Sequence, residues 1–254
     1  MPKLSVVIIT HNEEKRIRPT LESVKWCDEI IVVDSCSTDK TVDICQEYNH
    51  CQVYTQPFLG FGLQKRFAVE KATNDWILSV DADEVMTDAL QKEIKTLMSK
   101  PTIPYSGFYL PITLVFMNRV FKYGSENKKL HLRLFNRNAC NFNDKNLHET
   151  VEATGTTSKL ENEILHYSYI DIEQYFHKFN NYTTAYAKDN LHKGKKTNVF
   201  AAVLKFKFYF FKLYFVRLNF LNGYPGVVWS LFSSFYILVK KAKLYEKNHS
   251  KSIS

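Results

Sequence analysis

The part of the chain that most constrains its fold is residues 76–84, where five mostly apolar residues run directly into Asp81, Asp83 and Glu84. This pattern is typical of a buried strand that ends at a site for a hard cation. Because side chains alternate along an extended chain, Asp81 and Asp83 are expected on one side, with small Ala82 between them. Carboxylates this close repel unless a cation neutralises them, so the segment predicts a Mg²⁺ or Mn²⁺ site. The alternative is a solvated loop, since Asp-x-Asp also arises by chance.

The first hundred residues alternate between strand and helix patterns. Apolar, β-branched runs predict strands near residues 4–10, 30–33, 53–54 and 76–80. Apolar residues at helical spacing predict helices near residues 17–24, 40–48 and 63–72. Since the connections are short, this alternation predicts a parallel α/β sheet.

Polar residues follow three of these predicted strands at the point where each strand ends. They are Thr10, Asn12 and Glu13 after the first strand, Asp34 and Ser35 after the second, and Asp81 and Asp83 after the fourth. Ligands of parallel sheets bind beyond the carboxyl ends of the strands, so we expect one site at this edge. The sequence has neither a Gly-x-Gly-x-x-Gly after the first strand nor a Walker lysine loop, so neither a dinucleotide fold nor a P-loop is supported.

Composition narrows the class of protein less than these motifs do. The 254 residues are enough for one globular domain with an appendage, and the net charge is +8. A basic chain suits nucleic acid, an anionic membrane or a phosphorylated substrate, and the total charge does not choose among them. The five cysteines are odd in number and form no Cys-x-x-Cys pair, which favours reduced thiols in a cytoplasmic protein.

Several segments together resemble one known family. They are residues 5–14 (SVVIITHNEE), 33–41 (VDSCSTDKT), 60–65 (GFGLQK), 81–84 (DADE), 132–135 (LRLF), 147–149 (LHE), His166 and 220–223 (FLNG). Their order and spacing are similar to those of the GT-A glycosyltransferases of family 2, in particular the bacterial branch resembling lipopolysaccharide core β-1,4-glucosyltransferases. The resemblance covers nearly the whole chain. It departs from the family at Arg66, where relatives often have Asn, and at residues 125–127, which replace a Pro-Asp pair.

The resemblance implies a fold and a set of binding residues. The fold is a Rossmann-like nucleotide-diphospho-sugar transferase sheet with helices on both faces, followed by a C-terminal helical hairpin. The implied nucleotide-sugar site contains Thr10, Asn12, Glu13, Asp34 and Asp81, and we add Lys65 and Arg133 to it. Of these, Asp34 would contact uracil or ribose. Arg133 is a guanidinium suited to a diphosphate or a phosphorylated acceptor, with a surface cation as the alternative. The implied metal ligands are Asp83 and Asp81, with His166 as a further ligand or, equally, a core histidine.

Glu149 is the candidate general base. In an inverting sugar transfer the acceptor hydroxyl loses its proton as it attacks, and a carboxylate opposite the leaving diphosphate can accept that proton. The alternative for Glu149 is an ordinary surface glutamate, and Asp144 and Glu152 are the next candidates. Arg137 is either a second cation near the site or a surface cation.

The C-terminal part of the chain differs in composition. A helix is predicted over about 171–192, and the basic segment 193–196 is the best boundary, dividing the chain into a transferase domain (1–195) and a tail (196–254). The tail is rich in Phe and Lys, and its uncharged run 226–239 is shorter than the roughly 20 residues of a membrane span. Its cations scatter around the first tail helix, which predicts a hairpin in the membrane interface with lysines reaching the headgroups. The alternatives are a hydrophobic cap on the domain and a dimer contact.

These inferences combine into one leading hypothesis. The chain is expected to be a metal-dependent, inverting hexosyltransferase that uses a nucleotide sugar, UDP-linked by the resemblance, and a glycolipid or other lipid-linked saccharide of the cell envelope as acceptor. It would be cytoplasmic, peripherally associated with the inner face of the cytoplasmic membrane, would bind no nucleic acid, and a homodimer remains open. The alternatives are a sugar-phosphate nucleotidylyltransferase, whose basic glycine-rich loop is absent after the first strand, and a non-enzymatic membrane or nucleic-acid binder.

Overall fold

The computed structural model describes residues 2–143, 150–193 and 198–249. They form two compact units. The first contains Met1–Thr113 and Lys128–Tyr167, and the second contains Leu114–Asn127 and Ser168–Ser254. The second unit contains residues 114–127 and 168–195 in addition to the tail. The functional division between 1–195 and 196–254 expected from the sequence stays a prediction.

The N-terminal half of the first unit alternates strands and helices, as the sequence predicts. The order is β1 (Leu4–Thr10), α1 (Ile17–Val24), β2 (Glu29–Asp34), α2 (Thr41–Gln46), β3 (Cys51–Thr55), α3 (Phe61–Lys71), β4 (Trp76–Ser79), β5 (Glu84–Met86) and α4 (Asp88–Met98). Strand β1 pairs in parallel with β2 and β4, and β2 pairs in parallel with β3. The carboxyl ends of these strands therefore share one edge.

The later strands are β6 (Gly107–Phe116), β7 (Arg119–Val120), β8 (Lys129–Asn136), β9 (Cys140–Phe142), β10 (Val151–Ala153), β11 (Thr157–Lys159) and β12 (Ile164–His166). Strands β6, β8 and β12 extend the same sheet, whereas β9 and β10 form a separate two-stranded antiparallel sheet. In the described residues the strand order is β3-β2-β1-β4-β8-β6-β12-β5, and β11 pairs with β6. Strand β8 lies antiparallel to β4, and β12 lies antiparallel to β5. Both late strands thereby reach the segment that carries Asp81 and Asp83.

The sheet has an apolar core on each face, because its central strands are apolar at both odd and even positions. On one face Val6 and Ile8 share a cluster with Leu21 of α1 and Leu90 of α4. On the other face lies a second cluster, whose buried members are Val7, Ile31, Val33, Ala68, Val69, Ala72, Ile77, Phe135, Cys140 and Phe142. Helices α1 and α4 therefore cover one face and α3 the other, which explains the uninterrupted apolar runs of β1 and β2.

The second unit is built around aromatic side chains. Its helices are α5 (Ile172–His192), α6 (Val199–Phe211) and α7 (Tyr224–His249), with a π-helical segment Lys212–Val216 and a 3₁₀ turn Asn219–Asn222 between the last two. The rings of Phe116, Tyr175 and Trp229 pack together at centroid distances of 5.2 to 6.1 Å. Helix α7 is thus part of the core of this unit.

The start of α7 approaches the backbone of the 3₁₀ turn closely at Gly226. A Cβ atom at Gly226 would lie 1.9 Å from the backbone oxygen of Asn219. Replacing Gly226 by Ala should therefore force α7 away from the 3₁₀ turn and lower the free energy of unfolding by about 1–3 kcal/mol. Urea denaturation of the full chain measures this.

Gly155→Ala is the matched control, because the nearest atom to its added Cβ is the Ser106 hydroxyl oxygen at 2.7 Å, which can rotate away. We expect a loss below about 1 kcal/mol for this variant. Equal losses in the two variants would contradict the described contact between α7 and the 3₁₀ turn.

Candidate active site

The loops after β1 and β2 are bonded to each other at the sheet edge. Thr10 and Asp34 are partners in the parallel register, and the Ser35 backbone N–H donates to the Thr10 carbonyl at 2.8 Å. Asn12 has a positive φ of 54°, and its side-chain oxygen accepts from the Thr38 N–H at 2.8 Å. The structure therefore brings together the residues that the sequence placed after the first two strands.

Two of these predicted nucleotide-binding residues, Asp34 and Thr10, differ in the hydrogen bonds that their side chains make. The buried Asp34 carboxylate accepts hydrogen bonds from the Ser37 backbone N–H at 2.8 Å and from the Ser37 hydroxyl at 2.5 Å. The buried Thr10 hydroxyl has no hydrogen-bond partner within the described residues. Buried polar atoms are nearly always bonded, so the Thr10 hydroxyl is suited to a polar ligand at this edge.

The segment that carries the aspartates is a turn and not the extended chain that the sequence predicted. Strand β4 ends at Ser79, and the Glu84 backbone N–H donates to the Asp81 carbonyl at 2.9 Å. The Glu84 carboxylate accepts in return from the Asp81 backbone N–H at 2.8 Å. These two bonds close the turn, so Asp81 and Asp83 each meet a different set of cationic side chains.

Asp81 is held by two cations. Lys65 Nζ of α3 lies 2.8 Å from one carboxylate oxygen, and Arg133 Nη2 of β8 lies 2.6 Å from the other. Arg133 also contacts Glu84 at 2.8 Å. Burial raises the pKa of the Asp81 carboxyl, but Arg133 and Lys65 outweigh burial and hold that pKa well below its usual range. Burial raises the pKa of Glu84, and the Asp81 charge adds to this effect.

Asp83 faces a histidine and an arginine. One carboxylate oxygen lies 3.4 Å from His166 Nε2, and the other lies 3.5 Å from Arg16 Nη1. The Tyr167 N–H also donates to the Asp83 carbonyl at 2.8 Å, which ties the end of β12 to the turn. Burial lowers the pKa of His166, but the hydrogen bond and charge of Asp83 outweigh burial and raise it overall. Burial raises the pKa of Asp83, but the contact with His166 outweighs burial and lowers it.

Arg16 is a site residue that the sequence analysis did not identify. Its guanidinium is buried and donates two hydrogen bonds to the Glu13 carboxylate, at 2.6 and 2.5 Å. It also donates to the Tyr167 carbonyl at 3.1 Å. Arg16 thus joins Glu13, Asp83 and Tyr167, which come from three separate parts of the sequence. The spacing of Glu13 and Arg16, three residues apart before α1, was the available signal.

Of the remaining predicted residues, some lie away from the aspartate turn and some are not among the described residues. Arg137 donates to the carbonyls of Val69 and Ala72 at the end of α3, so it belongs to the helix end and not to the aspartate turn. Glu149, the candidate base, lies outside the described residues, as does Asp144. Glu152 is exposed on the short strand β10.

The residues present fit a metal site with few protein ligands. In the described part of the chain, no group of three or more His, Cys, Asp and Glu side chains is arranged to hold a metal ion. Asp83 and His166 supply one carboxylate and one imidazole side by side, which Mn²⁺ accepts. Both oxygens of Asp81 already accept from cations. A divalent ion here would therefore need further oxygen ligands from a bound substrate, as Mg²⁺ commonly does.

Comparison with known proteins places this sheet edge in a defined class. The sequence profile of "Glycosyl transferase family 2" matches residues 5–153. An uncharacterized glycosyltransferase of Rickettsia felis is 35% identical over 257 residues, covering 97% of this chain and 90% of the relative. The lipopolysaccharide core biosynthesis glycosyltransferase LpsC of Rhizobium meliloti is 27% identical over 264 residues, covering 99% and 96%. The solved structure of S. aureus TarS 1-349 has a TM-score of 0.47 at 21% identity, covering 65% of this chain and 60% of that one.

The protein is a glycosyltransferase, and the family resemblance found in the sequence is confirmed. The chain belongs to glycosyl transferase family 2.

The pair Asp83–His166 predicts a pH dependence of stability. Because the folded-state pKa of His166 is raised above 6.5, its charged form stabilises the fold fully below pH 6.5, and this contribution is lost as pH rises through the raised pKa. The folded-state pKa of Asp83 is lowered below 3.8, so its contribution is present above pH 3.8 and is lost in stronger acid. His166→Gln should therefore destabilise most between these limits and least at alkaline pH.

Denaturant unfolding of wild type and His166→Gln across this pH range measures the difference. In an Asp83→Asn background the same His166 substitution should show little of this pH dependence, since the partner charge is gone. A pH-independent effect of His166→Gln in the wild-type background would show that the two side chains do not interact as described.

Proposed function

We propose that the chain is an inverting hexosyltransferase that moves a sugar from a nucleotide donor, UDP-linked, to a lipid-linked saccharide of the cell envelope such as lipopolysaccharide core. The acceptor would be presented at the inner face of the cytoplasmic membrane. The observation that carries the proposal is the cluster of Lys65, Asp81 and Arg133 at the carboxyl edge of the parallel strands in a family 2 chain. The relative from Rhizobium meliloti, named for lipopolysaccharide core biosynthesis and matched over nearly its whole length, supports the acceptor class.

The donor would lie across the ends of β1, β2 and β4. The Thr10 hydroxyl, buried and without a partner in the described residues, would bond to the nucleoside beside Asp34, while Asn12 and Glu13 shape the loops. Lys65 and Arg133 present cationic side chains at the aspartate turn. They would attract the diphosphate and stabilise the charge that develops as it leaves.

Asp83 and His166 would hold a divalent cation beside the diphosphate. Such an ion, when bound, supplies positive charge that stabilises the departing diphosphate. Asp81 is assigned a different task, because its two oxygens orient Lys65 and Arg133. The sequence predicts Asp81 as a metal ligand as well, and UDP titration of Asp83→Asn measures whether metal binding depends on Asp83.

Sugar transfer also requires removal of the acceptor proton. Glu149 is proposed as the base that accepts it while the acceptor oxygen bonds to the anomeric carbon and the bond to the diphosphate breaks. Transfer from the side opposite the diphosphate inverts the configuration at that carbon. Family membership supports this reaction over the nucleotidylyltransferase alternative.

The metal assignment predicts a specific loss on Asp83→Asn. In wild type, Mn²⁺ should strengthen UDP binding at least about tenfold, or about 1.4 kcal/mol. In Asp83→Asn the ratio of UDP dissociation constants without and with Mn²⁺ should fall to about one, because one of the two protein ligands is weakened. Isothermal titration with UDP measures both constants.

Asp88→Asn is the matched control, since Asp88 is an exposed carboxylate five residues away at the start of α4. It should keep the wild-type ratio. A full Mn²⁺ effect in Asp83→Asn would overturn the metal assignment, and absence of UDP binding in the wild type would overturn the proposed donor.

The base assignment predicts a kinetic loss on Glu149→Gln. The single-turnover rate should fall by roughly 10²–10⁴-fold, while donor affinity stays near the wild-type value, because the proton is transferred only in the reaction. Rapid-quench assays with a radiolabelled donor and a lipid-linked core saccharide measure the rate.

Glu152→Gln is the matched control, an exposed glutamate three residues further along the chain, and it should react at nearly the wild-type rate. If Glu149→Gln keeps more than about a tenth of the wild-type rate, the decrease is smaller than removal of a general base should cause. The assignment would then pass to Glu152 or Asp144. Weakened donor binding in Glu149→Gln would indicate that the residue positions the site instead.

A further inference from the structure

The two tail helices differ in what covers them. Helix α7 packs on α5 within the second unit, and Val228 and Leu244 are buried. The first tail helix and the segments between it and α7 carry a run of exposed large apolar side chains: Phe200, Leu204, Phe208, Phe211, Phe215, Val216, Leu218, Phe220 and Leu221. We call residues 200–221 the tail ridge. No helix of the described residues is long and apolar enough to span a membrane.

Part of the tail ridge forms a continuous stripe on α6. Phe200, Leu204, Phe208 and Phe211 recur every three to four residues, and between 51% and 73% of their surface is exposed. At about 100° per residue these positions lie within one narrow sector of the helix. Ala202, on the opposite side, is buried. The apolar stripe is therefore the outer face of a helix whose inner face already packs on α7.

Cationic side chains flank this stripe. Lys205 and Lys207 are exposed, and helical geometry places one on each side of the apolar sector. Lys212 and Arg217 continue the positive charge along the following segments. No Asp or Glu occurs between residues 190 and 245, so the ridge has no acidic side chain of its own. An apolar stripe bordered by lysines and free of acids is complementary to a surface that is apolar below and anionic above.

Two lysines of α7, Lys240 and Lys243, have partners inside the unit. Lys243 Nζ donates to the Asn180 carbonyl at 3.0 Å and to the Thr184 hydroxyl at 2.8 Å. Lys240 Nζ lies 4.8 Å from the ring centroid of Tyr186 and 5.0 Å from that of Tyr236. These charges of α7 therefore lie against α5 and against a ring of α7 itself, and of the two tail helices α6 has the more exposed apolar face.

We infer that the tail ridge, and not α7, is the surface by which this protein docks on an anionic lipid membrane, with Phe200, Leu204, Phe208 and Phe211 entering the headgroup boundary. The inference rests on the proposed function in one respect, since a lipid-linked acceptor requires the enzyme at a membrane. It assigns the contact to one helix face, whereas the sequence predicted a hairpin with both helices in the interface.

Paired glutamate substitutions test the ridge. Phe208→Glu with Phe211→Glu should lower partitioning onto vesicles of phosphatidylcholine and phosphatidylglycerol in equal parts by at least about tenfold, because two apolar side chains and the charge complementarity are lost together. Wild-type partitioning should weaken but persist in high salt, since apolar burial is not screened. Sedimentation with sucrose-loaded vesicles measures partitioning.

Tyr182→Glu with Leu130→Glu is the matched control. Both residues are exposed, at 55% and 51%, both lie outside the tail ridge, and the change in net charge is the same. This variant should sediment much as the wild type does. Equal loss in the two double variants would mean that net charge alone governs binding, and equal retention would mean that the ridge is not the contact; either result overturns the inference.

Two further measurements distinguish membrane docking from self-association and from a defect in the active site. Light scattering during gel filtration detects self-association. If the wild type forms a dimer and does not bind vesicles, and if the Phe208/Phe211 variant is a monomer, the tail ridge is the contact with a second copy of the chain. UDP titration of each variant tests the active site independently. If the wild type binds UDP but not vesicles, membrane docking by the tail ridge is refuted and the proposed donor is not. If the wild type binds vesicles but not UDP, the proposed donor is refuted and membrane docking is not.

Discussion

The ion pairs of Asp81 with Lys65 and Arg133 are the interactions on which the site depends. They join three segments far apart in the sequence: the turn after β4, helix α3 and strand β8. Without this carboxylate, the mostly buried Lys65 and Arg133 would each lose a close negative partner, and breaking a buried ion pair typically costs about 3–5 kcal/mol. The same arrangement keeps cationic side chains at the carboxyl edge of the sheet. Under the proposed function, the same residues would therefore serve both the stability of the turn and the binding of the diphosphate.

Asp83 is held less closely by its partners than Asp81 is. Its carboxylate meets His166 and Arg16 at 3.4 and 3.5 Å, longer contacts than those of Asp81. Arg16 is itself engaged by Glu13 at 2.5 Å. Asp83 is consequently the aspartate whose oxygens are less strongly held, which is why we assign the cation to it. Asp83 raises the pKa of His166, so the protonation of this pair changes with pH.

The second unit shows how similar compositions serve different purposes. Both tail helices are rich in aromatic residues and lysine, yet α7 places Trp229 among the rings of Phe116 and Tyr175, whereas α6 exposes Phe200 and Phe208. A helical pattern reports which residues share a face. It does not report whether a neighbour covers that face, because the neighbour is supplied by distant parts of the chain.

The sequence by itself determined the parallel α/β half, since apolar runs and helical spacing are local, and it determined that Thr10, Asp34 and Asp81 follow strand ends that share an edge. It also carried the family motifs. Only the tertiary structure decided which cation each carboxylate meets, that the aspartates lie on a turn, and that Arg16 belongs to the site. The physical reason is that ion pairing and burial depend on segments brought together by folding, and such long-range partners leave no periodic signal in the local sequence.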